Sequence, residues 1–174
     1  VFLLGMDSCK NEYQNVWTVD VENPIENIEL TDISKEFYDP TVPLEIFSQT
    51  YLWFQGTVPE EDCAERRKDT EEIKIYKDAI SKIDLTKLNT ELADLFSHIK
   101  VHFPEFKEPK VFIYSSALQG IMEPIFYEPN EAVLFIDITA FMGENNPNYK
   151  GLELYFQKSM NPKNILPKVS DIFA

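Results

Sequence analysis

The chain has 174 residues and a formal net charge of −14, from 16 basic and 30 acidic side chains. This length fits one domain, with or without short tails. A phosphate backbone repels so acidic a surface, so the composition argues against a nucleic-acid partner. Hydrophobic residues make up 44% and aromatic residues 13% of the chain, which is enough for a compact core. No apolar run approaches the roughly 18 residues of a membrane-spanning helix.

The glycines exclude the common nucleotide-binding motifs. Only 5 occur, and no two have the spacing of G-x-G-x-x-G or of a P-loop. The chain also contains no G-x-S-x-G nucleophile elbow and no C-x-x-C pair. The residues by themselves therefore indicate no catalytic centre and no cofactor.

The first residues are typical of the end of a lipoprotein signal peptide. Residues 2–4 are Phe-Leu-Leu, as in the hydrophobic region of such a peptide. Small Ser8 directly precedes Cys9, which suits processing that makes the cysteine the acylated first residue. Asp7 departs from this pattern, because the position two before the cysteine usually holds a small neutral residue. The alternative is an ordinary N-terminal strand with a free thiol at Cys9.

Lipidation of Cys9 would divide the chain into three parts. Residues 1–8 would be a remnant of the signal peptide, residues 9–24 a polar tether and residues 25–174 a single domain. A diacylglycerol and an amide-linked chain such as palmitate would each bury methylenes worth about 0.8 kcal/mol apiece. Two or more acyl chains make a stable anchor, so we expect the domain to be held at a membrane of the cell envelope.

The apolar pattern in the first half predicts one short strand followed by helices. The strand lies within residues 25–33, and apolar residues at helical spacing predict helices over 44–54 and from Pro59 through Ile80. The clearest helix follows Asp84, a candidate N-cap, and carries an apolar stripe from Leu85 to Phe103. Pro104 ends it, because proline supplies no amide donor.

The second half predicts a small sheet packed against these helices. Residues 110–115 and 132–137 are rich in β-branched and aromatic side chains, which suits central strands buried on both faces. Residues 125–127 lie between them, and the turn at 128–131 predicts a hairpin. With the helices, this predicts an α+β fold with a small mixed or antiparallel sheet.

Two further helical segments are predicted at the C-terminal end. One is a short element over residues 148–160, and the other begins at Asn161 and Pro162. The second ends while Val169, Ile172 and Phe173 still need an apolar partner, so we expect the sequence to be truncated at its C-terminus. The alternative is that this turn docks onto the sheet and completes the fold.

Several stretches of the second half keep the order and spacing of a known family. They are residues 92–100, 103–111, 134–137, 141–143, 148–151 and 160–169. On these stretches the chain resembles the gliding-motility lipoprotein GldB family, most closely over 88–174 and more loosely over 25–84. The lipoprotein-like first residues agree with this resemblance independently.

The resemblance implies a noncatalytic, lipid-anchored envelope protein that scaffolds or stabilises the gliding machinery and its secretion system. It implies a fold distantly like that of zinc peptidases, here as a remnant, and longer members, which also favours truncation. Typical members lack H-E-x-x-H, so no catalytic or metal-binding residue is carried over. The implied partners are a membrane and other envelope proteins of the machinery. The alternative is a lipid-anchored, zinc-peptidase-like hydrolase whose catalytic helix lies beyond residue 174.

His98 and His102 are the only histidines, and their i,i+4 spacing on a helix allows both to bind one metal ion. Ile99 stands where a metalloprotease has its glutamate. The pattern also places His102 at the margin of the apolar stripe and His98 on its polar flank. We therefore predict two partly exposed helix histidines with ordinary hydrogen bonds and no metal.

Asp137 ends the most apolar strand and is the best-placed single carboxylate. Such a group can be a general base, a ligand or the N-cap of a following helix, here over residues 138–142, and we predict the cap.

The remaining candidate residues favour structural roles. Cys63 lies among carboxylates that disfavour a thiolate, so we expect a quiet thiol in a helix. Glu123, Glu128 and Glu131 cluster around the hairpin without the spacing of paired catalytic acids. Residues 53–54, Trp-Phe, are a candidate partner contact, with core packing as the alternative.

Overall fold

The computed structural model of the protein describes residues 20–52 and 59–174. These residues form seven α-helices and a four-stranded mixed sheet, which confirms the predicted α+β class. The remnant of a zinc-peptidase fold that the resemblance implies is not shown by this architecture.

The elements follow one another closely along the chain. The strands are β1 (Leu30–Asp32), β2 (Lys110–Tyr114), β3 (Ile125–Glu128) and β4 (Val133–Asp137). The helices are α1 (Ile33–Phe37), α2 (Leu44–Thr50), α3 (Glu60–Arg66), α4 (Thr70–Lys82), α5 (Leu85–His102), α6 (Leu154–Ser159) and α7 (Ile165–Ile172). Short 3₁₀ turns cover Ile138–Phe141, Pro147–Tyr149 and Pro162–Asn164.

The sheet has the order β1-β2-β4-β3. Strands β1, β2 and β4 run parallel, and β3 pairs antiparallel with β4. The hairpin of β3 and β4 is therefore confirmed. The parallel pairing of β2 with β4 brings the carboxyl ends of three strands to one edge of the sheet, where ligands bind in many parallel sheets.

Helix α5 is the main helix of the core, as its apolar stripe predicts. The Asp84 carboxylate caps it by accepting a hydrogen bond from Lys87 N at 3.0 Å. Leu92, Leu95 and Phe96 are buried on one side of the helix. Side chains from α4, α5 and α7 complete a large core cluster against Val111, Ile113, Leu134 and Ile136 of the sheet.

A second, smaller core covers the other face of the sheet near β2. Phe37 of α1 and Phe47 of α2 are buried there, with ring centroids 5.4 Å apart. Tyr51 continues the cluster and contacts Phe112 of β2 edge-to-face at 5.9 Å. Both faces of β2 are therefore covered, but its side chains are fully buried only on the face of Val111 and Ile113, whereas Phe112 and Tyr114 are half-buried. The predicted burial on both faces is therefore met only in part.

The chain is divided into more elements than the sequence predicts, at two places by a capping carboxylate. The short strand predicted within 25–33 is confirmed as β1, and Asp32 at its end caps the unpredicted α1 by accepting from Lys35 N at 3.2 Å. The helix predicted from Pro59 through Ile80 is two helices, because the Asp69 carboxylate accepts from the first amides of α4. Residues 148–160 contain part of a 3₁₀ turn and α6 rather than the one element predicted, and no side chain caps the start of α6.

Helix α2 is shorter than predicted. It ends at Thr50, whereas the spacing predicts a helix through residue 54. The predicted stop at Gly56 lies outside the described residues.

The C-terminal helix has the apolar partner that the sequence leaves open. Val169 is fully buried, and the Phe173 ring lies 5.7 Å from Phe96 of α5 and 4.8 Å from Tyr127 of β3. The expectation that Val169 and Phe173 lack a partner is therefore wrong, whereas Ile172 remains 42% exposed. As in the alternative, this helix docks onto the sheet.

Candidate functional site

The predicted anchor and one predicted contact lie outside the described residues. Cys9 and the rest of the polar tether up to residue 19 belong to this part, and so does the pair at 53–54. Their roles stay predictions. Over the ranges 20–52 and 59–174, no helix combines the length and the apolar character needed to cross a bilayer.

His98 and His102 lie near the C-terminal end of α5 and line one hollow. The hollow has a volume of about 410 Å³ and is otherwise mainly apolar, with Ile99, Phe103 and Phe173 in its wall. His98 lies beside the exposed Asp94, as predicted, but its own side chain is only 12% exposed. Its Nε2 lies 3.6 Å from the Asp94 carboxylate, whereas His102 is exposed.

The two histidines and Asp94 do not form a metal site in the described part of the chain. Within the part of the chain that the structure describes, no three His, Cys, Asp or Glu side chains form a group able to hold a metal ion. A structural zinc site takes four such ligands, and a catalytic one takes three.

Asp137 lies at the carboxyl end of β4 and is fully buried. Its Oδ1 accepts hydrogen bonds from Thr139 N at 3.0 Å and from Thr139 Oγ1 at 2.7 Å, so the predicted cap of the Ile138–Phe141 turn is confirmed. The same oxygen accepts from Ser116 N at 3.2 Å, and Oδ2 accepts from the Ser116 hydroxyl. The carboxylate thus joins β4 to the loop that follows β2.

The Ser116 loop is fitted closely to this carboxylate. Ser116 Oγ also accepts from Gly120 N at 2.8 Å, which closes a compact turn. Between them Ala117 and Leu118 have φ angles of 52° and 74°, in the left-handed region that side chains other than glycine rarely adopt. A Cβ at Gly120 would lie 3.1 Å from Asp137 Oδ2, so a larger residue there would crowd the carboxylate.

A second polar network lies beside the same edge of the sheet. The Glu72 carboxylate accepts from Arg66 Nε at 3.0 Å and from the Tyr38 hydroxyl at 3.1 Å. The Tyr76 hydroxyl donates to the Asp32 carboxylate at 2.7 Å. Burial raises the pKa of both tyrosines, and in each case the neighbouring carboxylate raises it further. These hydroxyls therefore remain protonated donors.

A small cavity of about 150 Å³ opens between the two networks. Its wall includes Ser34, Arg66, Tyr114 and Ser116. Burial is the main cause that raises the pKa of Tyr114 to about 12, and the charge of Asp137 adds to it. The volume suits a few water molecules or a fragment of a ligand rather than a whole substrate.

Of the polar residues at the carboxyl ends of the strands, the sequence indicates only one in advance. Asp137 is predicted from its position after an apolar strand, whereas Ser116, Arg66 and Tyr38 carry no motif. They come from separate segments and meet only through the parallel pairing of the strands.

Two other residues that the sequence singles out, Cys63 and Glu128, have structural environments. Cys63 is buried in α3, and burial is the main cause that raises the pKa of its thiol, with Asp62 and Glu60 adding to it. Glu128 stabilises the hairpin turn by accepting from Asn130 N at 3.1 Å and Asn130 Nδ2 at 2.9 Å.

A family model matches most of the chain. The model is described as "Gliding motility protein GldB" and covers residues 14–174. The chain belongs to the GldB family. Neither the comparison with curated proteins nor that with solved structures gives a match.

Membership of the GldB family implies a gliding-motility-associated lipoprotein. It also indicates a location in the cell envelope and interaction with other envelope proteins of the motility machinery. This agrees with the resemblance seen in the sequence, and the match extends over the region 25–84, where that resemblance is looser.

Proposed function

We propose that this GldB-family chain is a noncatalytic scaffold that is anchored by lipid at Cys9 and stabilises the gliding-motility and secretion machinery of the envelope. Membership of the family supports the association with motility and the lipoprotein character. The arrangement of the polar residues at the sheet edge supports the noncatalytic role.

The main support for the noncatalytic role is the burial and hydrogen bonding of the Asp137 carboxylate. This carboxylate is buried and accepts from two backbone amides and two hydroxyls. A general base needs a lone pair within reach of a substrate proton, and a nucleophilic serine needs a base that takes its proton. Here the Ser116 hydroxyl and the Asp137 carboxylate instead fix a loop to the end of a strand.

The proposed anchor leaves the domain close to the membrane. The described contacts of the N-terminal segment begin at Ile25, whose amide donates to Ser97 Oγ of α5 at 2.8 Å. The chain from Cys9 to this point is short, and even a fully extended chain of that length spans at most about 55 Å. The point at which the domain is attached, Ile25, would therefore lie within that distance of the bilayer.

The anchor is tested on protein isolated from its native envelope. We expect intact-mass spectrometry to find a chain that begins at acylated Cys9, and a palmitate analogue to label it. Cys9→Ser should move the protein to the soluble envelope fraction, whereas Cys63→Ser should leave it on the membrane. A bare Cys9 sulfur, or unchanged membrane association of Cys9→Ser, would reject the anchor.

The noncatalytic role is tested by complementation of a strain that lacks the protein. We expect Ser116→Ala and His102→Ala, at normal protein levels, to restore gliding, because neither side chain would take part in a reaction. Cys9→Ser is the matched variant that should fail. Loss of gliding in Ser116→Ala with an intact fold and normal abundance would contradict the noncatalytic role.

A further inference from the structure

The edge strands of the four-stranded sheet are β1 and β3. Just before β1, Asn89 of α5 pairs its side-chain amide with the backbone of Ile28. Its Nδ2 donates to Ile28 O at 2.9 Å, and its Oδ1 accepts from Ile28 N at 3.3 Å. The other edge strand, β3, pairs its backbone groups with those of its partner β4.

The register of β3 shows which of its backbone groups face outward. Asp137 N donates to Pro124 O at 2.7 Å, so these residues form a hydrogen-bonded pair. Such pairs alternate along an antiparallel ladder. The next residues that bond to β4 are therefore Phe126 and Glu128, and the N–H and C=O groups of Ile125 and Tyr127 point away from the sheet.

These outward groups have no partner among the described residues. Outside the ladder, no backbone hydrogen bond in the ranges 20–52 and 59–174 involves Ile125 or Tyr127. An open edge of this kind is a template for another extended chain. Pro124 and Pro129 border the strand, so an added strand would be limited to about four residues.

The exposed side chain of β3 extends a row of aromatic rings. Phe126 is 57% exposed, and its ring stacks on Phe135 of β4 at 6.2 Å. Phe135 in turn lies 5.7 Å from Phe112 of β2. A strand added beside β3 would place one side chain next to Phe126, where cross-strand pairs with aromatic rings are favourable.

The charge around this edge selects the kind of partner. The segment 111–149 contains no lysine and no arginine. Glu123 and Glu131 are exposed at the two ends of the hairpin, and Glu128 is half-buried within it. Natural edge strands are often protected by lysine, whereas the residues that flank this one along the chain include acids and no bases. A second copy would bring these glutamates together, whereas a basic segment would pair with them.

We propose that the β3 edge binds an extended, basic segment of a protein partner, which adds a fifth strand to the sheet. The inference deepens the proposed scaffold role, on which it rests, by naming the chemistry of the partner. The backbone of Ile125 and Tyr127 supplies the hydrogen bonds, Phe126 contacts an apolar side chain, and the glutamates attract the basic residues.

The probe is a blocked heptapeptide of alternating lysine and valine, added to the full 174-residue chain. Amide hydrogen exchange is followed by NMR. We expect the amides of Ile125 and Tyr127 to exchange at least tenfold more slowly with the peptide, and those of Phe126 and Glu128 to change little. An equivalent peptide of glutamate and valine should have no effect.

Substitutions separate this edge from other exposed apolar sites. Phe126→Lys should weaken binding of the lysine peptide at least tenfold, whereas Tyr155→Lys, at a site 61% exposed on α6, should not. Glu123→Gln with Glu131→Gln should weaken it severalfold, and Glu105→Gln should not. N-methylation of the peptide on the edge-facing amides should abolish the protection.

Three results would overturn the proposal. The first is that Phe126→Lys binds the lysine peptide as tightly as the wild type. The second is that the lysine peptide does not slow amide exchange at Ile125 and Tyr127. The third is that exchange at these amides slows when the protein concentration is raised without peptide. The last would show pairing with a second copy. The experiment uses unacylated protein in solution, so its failure would leave the anchor at Cys9 standing, and a bare Cys9 in native protein would leave this surface standing.

Discussion

The Ser116 hydroxyl donates a hydrogen bond to the Asp137 carboxylate, although the two residues are 21 positions apart. One follows β2 and the other ends β4, and these strands are parallel neighbours in the sheet. The bond therefore closes the carboxyl edge of the central strand pair. In the proposed scaffold, the Asp137 carboxylate therefore has a structural role.

Asp137→Ala should destabilise the domain strongly. The substitution removes the acceptor of two hydroxyls and two backbone amides inside a fully buried site. Buried donors left without a partner cost about 1–3 kcal/mol each, so we expect the free energy of unfolding to fall by about 3 kcal/mol or more. Urea unfolding measures this, with exposed Asp171→Ala as the control. Equal effects of the two substitutions would contradict the structural role of Asp137.

Tyr149→Phe should cost less, because it removes one hydroxyl and leaves the ring. This hydroxyl donates to Thr139 O at 2.6 Å and accepts from Met142 N at 2.8 Å in the core. We expect a loss of about 1–2 kcal/mol in the free energy of unfolding. Tyr155→Phe, on the exposed surface of α6, should change it little. Thermal unfolding of both variants tests the difference, and indistinguishable midpoints would rule out the inferred contribution.

Arg67→Met should loosen the turn between α1 and α2. The guanidinium donates to the carbonyls of Phe37, Asp39 and Val42, each at 2.5 Å. Methionine keeps the apolar stem but not the donors, so we expect a loss of about 2 kcal/mol in the free energy of unfolding. The exposed neighbour provides the control, Lys68→Met, which should have little effect. If Arg67→Met unfolds at the same urea concentration as the wild type, the three bonds contribute nothing net.

Asp32 should make stability depend on pH in a defined direction. Burial raises the pKa of its carboxyl above 3.8, although Tyr76 and the amide of Lys35 oppose this. The folded state then binds the proton more tightly than the unfolded state, so stability falls as pH rises from about 3.8 through the raised pKa. Compared with Asp32→Asn, the wild type should lose stability across this window. The unfolding free energy of the wild type minus that of Asp32→Asn should therefore fall as pH rises. A value of this difference that stays constant or increases with pH would contradict the raised pKa.

Zinc should not bind tightly to the histidines of α5. His98 is largely buried and His102 is exposed, and within the described ranges they belong to no group of three His, Cys, Asp or Glu side chains able to hold a metal ion. Isothermal calorimetry with zinc chloride should therefore give the same weak response for the wild type and for His98→Ala. Tight binding that His98→Ala abolishes would instead favour the hydrolase alternative.

The sequence by itself predicts those elements in which local signals agree. For α5, the apolar stripe, the cap at Asp84 and the stop before Pro104 all indicate the same helix. Its predicted bounds are therefore correct to within a residue. The hairpin is equally clear because turn residues separate two β-rich runs. The predictions miss the divisions at Asp32 and Asp69, where a capping carboxylate interrupts a run whose apolar pattern continues.

The sequence also determined the family, since the matching stretches keep their order along the chain. Only the tertiary structure decided that Ser116 meets Asp137, that Phe173 has a partner and that the backbone of Ile125 and Tyr127 faces outward. The physical reason is that capping and periodicity act between near neighbours in the chain. Strand order and register depend on which distant segments bury one another's apolar faces, and no local pattern encodes that choice.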